Sequence, residues 1–212
     1  MTAARISFWI MGALSLLVAL ATLRFLPLSP EVAFASMKPH LAARPLAFWL
    51  HALASPVALA AGVFQFAPRL RARHPRLHRL NGRLYGLAVL AGGLSALALA
   101  IGAWPERPVA AAGFGLLALM WLGTTGQAVR LARRRDFARH RRWMIRSFAL
   151  AFAAVTLRLL LPVFMLGAGM DYAGASLWVA WLCWVPNLIF AEWWLARDRS
   201  RPAAAPRPGR RD

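Results

Sequence analysis

HRRWMIRSFALAFAAVTLRLLL, residues His140 to Leu161, passes from a cluster of arginines into an apolar run that carries one more arginine, Arg158, deep inside it. A segment of this make-up reads as a transmembrane helix with a charge in its interior. Roughly 20 apolar residues cross a hydrocarbon core about 30 Å thick, and arginines at one end anchor the helix in a headgroup layer. Arg158 stands 12 residues beyond Arg146, roughly 18 Å further along the axis of a helix.

Working out from that stretch, the same texture recurs along the chain. Of 212 residues 60% are hydrophobic, and the mean hydropathy is positive; soluble domains average nearer half apolar. The apolar runs predict spans over about residues 6–26, 46–66, 84–104, 109–128, 143–166 and 175–195. The fold class expected is therefore all-α: an integral membrane bundle of six transmembrane helices in one domain, residues 1–196, with a disordered basic tail over 197–212. For the first run a cleaved signal peptide is the competing reading, since Ala33-Phe34-Ala35 has the small-x-small form of a cleavage site. The run is longer than a usual signal core, which favours a retained helix.

Charge sets the expected orientation. The loop from Pro68 to Arg83 holds six arginines, the segment from Arg130 to Arg146 eight, and the tail from Arg197 six, whereas the alternate connections hold Lys38, Arg44 and Arg107. Every second connection is basic, as it is when those connections and both termini face the cytoplasm. The net charge of +19 follows from that asymmetry and does not call for a nucleic-acid partner. The expected location is a bacterial cytoplasmic (inner) membrane, crossed several times. The single cysteine, Cys183, lies mid-helix and excludes an internal disulfide or a thiolate cluster.

A candidate internal repeat lies at an offset of 62: Gln65 matches Gln127, His78-Arg79 matches His140-Arg141, and Arg71 and Arg73 match Arg133 and Arg135, although arginine is common enough in these loops that some matches are expected by chance. Duplication of a helical hairpin, spans two and three copied as four and five, would produce it.

Polar residues inside spans are the candidate site. On span two, Ala47, His51, Ala54, Ser55, Ala58, Gly62 and Gln65 fall on one small, polar face, which should turn into the bundle. On span five, Ser147, Ala151, Ala154, Arg158 and Pro162 make a comparable stripe. His51, Arg158, Gln65, Gln127 and Asn187 are therefore the expected interior polar set. An arginine so deep costs at least ~2.5–3.5 kcal/mol on insertion scales and needs a partner; His51, Asp171, Glu31, or carbonyls freed beside Pro56 and Pro186 are the candidates. Pro186-Asn187 is expected to kink span six, and Glu192 to pair with an arginine of a basic loop.

At the basic edge, His74, His78, His140, Arg83 and Arg146 are expected to meet anionic lipid headgroups. A metal site at His74 and His78 is disfavoured by the surrounding arginines. A b-type haem between His78 and His140 is the sharper alternative, because duplicated hairpins offer equivalent axial histidines. No nucleophile–base pair, P-loop or paired-carboxylate pattern is present.

HPRLHRLNGRLYG (His74 to Gly86), HRRWMIRSFALAFAAVTLRL (His140 to Leu159) and WVPNLIFAEWW (Trp184 to Trp194) resemble the family of predicted bacterial membrane proteins known as domain of unknown function 2306. The resemblance spans most of the chain and implies a multi-helix membrane protein. It also implies that His51, His78, Arg83, His140, Arg146, Arg158 and Asn187 lie at motif positions; it carries no activity over. The expected role is a non-enzymatic accessory protein that binds a ligand or lipid at an inward polar site, with membrane lipids and a further membrane protein as partners. A haem redox protein and a small transporter of an anionic or polar solute are the alternatives.

Overall fold

In hydrocarbon an extended backbone has nothing to hydrogen-bond to, so the apolar runs can cross only as helices or as a closed barrel. The computed structural model describes residues 3–25, 28–33 and 37–199, and all regular elements among them are helical. They are α1 (Ala3–Thr22), α2 (Pro30–Ala33), α3 (Lys38–Ala43), α4 (Pro45–Gln65), α5 (Pro68–Arg73), α6 (Pro75–Ala103), α7 (Pro108–Arg133), α8 (Phe137–Ala151), α9 (Ala153–Pro162), α10 (Tyr172–Leu182) and α11 (Val185–Arg199). Five helical segments are long and apolar enough to cross a membrane: Pro45–Gln65, Pro75–Ala103, Pro108–Arg133, Phe137–Gly167 and Tyr172–Asp198. The apolar part of α1 with described side chains, Ser7–Thr22, is shorter. Of the expected tail, residues 200–212 lie outside the described residues, as do Phe34 and Ala35 of the possible cleavage site; Arg197 and Asp198 belong to α11.

Proline and aspartate set the helix starts. Pro45, Pro68, Pro75 and Pro108 each stand at the first helical position, where a missing N–H costs nothing and φ is preset. Asp136 caps α8 by accepting from the Arg139 N–H at 3.0 Å, and Asp171 caps α10 by accepting from Gly174 at 2.8 Å.

The two basic stretches expected as loops are mostly helix. Only His74 separates α5 from α6, and only Arg134 to Asp136 separates α7 from α8. Arginine is a strong helix former and its long stem lets the charge reach water from a helical backbone, so the chain breaks only at prolines and the aspartate cap. Span five, expected to be continuous, is interrupted at Phe152 and ends in a wide π turn, Val163–Gly167. Span six breaks at Cys183-Trp184, just before Pro186, where the proline ring removes a helical hydrogen bond.

Packing gives the repeat a physical form. The hairpins α4–α6 and α7–α8 pack together through α6 and α7, α1 covers α4 and α9, α10 lies on α7, and α11 lies on α8. Tyr85 and Ser147, 62 residues apart, touch each other, hydroxyl to hydroxyl, at 2.6 Å. The two hairpins begin alike, one residue off that register: Arg44 precedes α4 at φ −143°, ψ 62°, and Arg107 precedes α7 at φ −140°, ψ 63°.

Candidate functional site

At the centre of the bundle a chain of hydroxyls links α6, α7 and α8. The Thr125 hydroxyl donates to the Trp121 carbonyl at 2.7 Å, so its oxygen is left to accept from Ser147 at 2.6 Å, and Ser147 in turn accepts from Tyr85 at 2.6 Å. The buried Trp121 indole N–H lies beside the Tyr85 hydroxyl without the alignment of a full hydrogen bond. The chain thus begins and ends at Trp121, with every hydroxyl proton used. Tyr85, Trp121, Thr125 and Ser147 are all buried. Bonds from α6 to α8 and from α8 to α7 make this chain a tie between three helices. Of its members only Ser147 was marked out by helical spacing, although the offset of 62 would have paired it with Tyr85.

A second polar knot joins the two broken spans. The Asn187 amide donates to the Cys183 carbonyl at 2.9 Å and to the Thr156 hydroxyl at 3.0 Å, and reaches the Ala149 carbonyl at 3.4 Å. Those carbonyls sit next to the breaks at Phe152 and Cys183-Trp184, where helical bonds are lost. Asn187 is half-buried, and its partners are the Thr156 hydroxyl and carbonyls beside the breaks.

At the basic end, His140 donates from Nδ1 to the Ala128 carbonyl at 2.8 Å. A carbonyl can only accept, so this bond puts a proton on Nδ1 and leaves Nε2 outside it. His78 lies close enough to feel the charge of His140; its own Nδ1 is buried without a partner. Gln65 donates to the His78 carbonyl at 3.3 Å. Gln127 is half-buried, and His74 and Arg83 are exposed. Arg146 departs from the headgroup role expected of it. Its guanidinium makes two contacts with Glu192, at 2.5 and 2.8 Å, and stacks over the Trp143 ring. With its side chain 14% exposed, it is committed to that carboxylate, and the pairing foreseen for Glu192 is present. Arg141 pairs with Asp198 at 3.1 Å.

In the other half of the bundle, His51 donates from Nδ1 to the Gly92 carbonyl at 3.0 Å, with the Ser55 hydroxyl 3.2 Å from the same nitrogen. The α4 face containing His51 and Ser55 therefore does turn toward α6. Arg158 lies at the seam of α1 and α9, partly exposed, where Nη1 donates to its own helix at Ala154 (2.9 Å) and Nη2 to the Thr22 hydroxyl of α1 (2.8 Å), and its charge is felt at His51. The stripe from Ser147 to Pro162 assumed one unbroken helix. The interruption at Phe152 leaves Ser147 and Ala151 buried while Arg158 and Pro162 are exposed. Neither His51 nor Asp171 is a partner of Arg158 among the described residues, and the Glu31 side chain lies outside them.

Compared with known proteins, the chain matches the model of a predicted membrane protein family, DUF2306, over residues 48–195. No curated protein and no solved structure matches it.

Proposed function

Given that the chain belongs to the predicted membrane protein family DUF2306, we propose that it is a six-span protein of a bacterial cytoplasmic membrane that holds an anionic lipid against Arg158, and that it is not an enzyme. In this reading α1 supplies the sixth crossing beside the five long apolar segments. The arginine-rich connections favour a cytoplasmic side for both ends of the bundle, and with that orientation Arg158 falls in the outer half. Alkaline-phosphatase fusions test that frame: activity at a fusion near Arg134 would reverse the orientation.

One observation carries the binding role. Arg158 spends two N–H groups on a carbonyl and a hydroxyl, and no ion pair neutralises it among the described residues. Thr22 donates its own proton to the Val18 carbonyl at 2.8 Å, so it accepts from Arg158 and orients the guanidinium without cancelling its charge. Arg24 adds to the positive field. A lipid phosphate at the seam of α1 and α9 supplies the missing negative charge and accepts the remaining donors.

The test is thermal stability of the full-length protein in nanodiscs. Phosphatidylglycerol should raise Tm above its value in phosphatidylcholine, by a few degrees for a charge-assisted hydrogen bond of about 1.5–3 kcal/mol. The difference should vanish in Arg158→Ala and survive in part in Arg158→Lys. Equal Tm in the two lipids for the wild-type protein sinks the proposal.

A second reading rests on His140. Its Nδ1–H···O=C bond is the orientation that presents Nε2 to a metal, and His78 stands at the equivalent repeat position. A b-type haem held by these two residues would give the purified protein a Soret band that His140→Ala abolishes; a colourless wild-type preparation ends this reading.

A further inference from the structure

On the face opposite the basic loops, α3, the start of α4 and the turn between α6 and α7 enclose a cavity of about 80 Å³ lined by His40, Arg44, Gly102, Glu106 and Arg107 among others. This is more than a single water needs and suits a molecule of a few non-hydrogen atoms. Arg44 directly precedes α4 and Arg107 directly precedes α7, and the packing of α3 and α4 against the end of α6 brings the two to one place. The Arg44 guanidinium lies directly against Gly102, in the space that a β-carbon there would fill. Arg107 lies 5.8 Å from the Tyr172 ring centroid. Neither arginine forms an ion pair among the described residues, and Glu106, on the same wall, is not within ion-pair distance of either.

We propose that this cavity is a binding site for an oxyanion that still carries a proton, of the phosphate class: either inorganic phosphate or the monoester headgroup of a lipid. Two guanidinium groups supply forked donors for the charged oxygens. Glu106 can only accept, so it selects a ligand with a P–O–H group to donate and repels one without. Sulfate and the phosphodiester of phosphatidylglycerol have no such proton near neutral pH. A cavity lined by arginines alone would take any of them.

His40 makes the site pH-sensitive. Burial and the Arg107 charge lower its pKa, and Glu106 opposes them; Arg44 faces it from the start of α4. A bound anion favours the imidazolium, and a phosphate monoester gains its own proton near pH 6. The complex therefore holds more protons than the separated partners, and affinity rises as pH falls from about 8 to about 6.

The experiment measures binding of inorganic phosphate, sulfate, phosphatidate and phosphatidylglycerol to the full-length protein in detergent, by calorimetry and thermal shift. Phosphate should bind at least about tenfold more tightly than sulfate, the equivalent of one charge-assisted hydrogen bond. Arg107→Gln should weaken it about tenfold, and Glu106→Gln should let sulfate compete, with the fold intact in both as judged by circular dichroism. Binding of free phosphate assigns a soluble ligand; binding of phosphatidate alone assigns a lipid headgroup. No saturable binding of either, or sulfate or phosphatidylglycerol binding as well as the protonated species, overturns the proposal. Arg158→Ala leaves these results unchanged, which separates this site from the one on α1 and α9.

Discussion

Gly113→Ala should destabilise the protein by about 1–3 kcal/mol, the usual cost of overpacking, although alanine is the better helix former by about 1 kcal/mol. A β-carbon at position 113 would stand 2.8 Å from the Ala180 carbonyl oxygen and 3.0 Å from both its carbonyl carbon and its β-carbon. Two of these atoms are backbone, so no rotamer change makes room; α10 must move off α7. Small residues line this seam on both sides: Ala110, Ala111, Gly113, Ala175, Ser176 and Ala180 are buried. Between helices in lipid, such close approach is the principal attraction, because lipid tails are as apolar as the side chains. The control lies on the same helix. Gly123 has nothing within 4 Å of a would-be β-carbon, so Gly123→Ala should raise stability slightly. Melting curves of the two variants should therefore move in opposite directions from the wild type; a shared direction would refute the α7–α10 contact.

Ser147→Val should have the next largest effect, because Ser147 is the hub of the buried hydroxyl chain. The substitution leaves the Tyr85 hydroxyl without its acceptor and removes a donor from Thr125. In a soluble core an unpaired buried group costs about 1–3 kcal/mol, but single hydrogen bonds between membrane helices average nearer 0.6 and reach about 1.7. With two bonds lost, roughly 1–2 kcal/mol is expected. The sharper measurement is a double-mutant cycle. Tyr85→Phe should destabilise the wild type yet cost almost nothing in the Ser147→Val background, since its partner is already gone. Additive losses would mean that the hydroxyls do not act as one unit.

Much of the scaffold was legible in the residues, and particular cases show why. The run from Leu46 to Phe66 coincides with α4 almost residue for residue, because a long apolar stretch bounded by Pro45 and Pro68 has only one structure available in hydrocarbon. The basic stretches misled for the opposite reason: arginine density marks which side of a membrane a segment occupies, and says little about whether its backbone is helical. Tyr85 and Ser147, which meet hydroxyl to hydroxyl, stand 62 residues apart, the same offset as the glutamine and histidine-arginine matches. Glu192 was matched to the right class of partner, since a carboxylate on the last helix can meet only a few arginines at its own depth.

The side-chain partners were less legible. Helical arithmetic set Arg158 on one stripe with Ser147, but could not say that its guanidinium meets the Thr22 hydroxyl of α1 and the Ala154 carbonyl. The cavity under Arg44 and Arg107 had no sequence signature at all, because its walls come from residues about sixty positions apart that are joined only by the packing of two hairpins. Span length, hydropathy and charge side are local sums along the chain, and they specified a multi-pass helical membrane protein before any contact was known. Which carbonyl, hydroxyl or carboxylate each polar group meets depends on how neighbouring helices are rotated and how closely they approach. Those quantities exist only once the bundle has assembled.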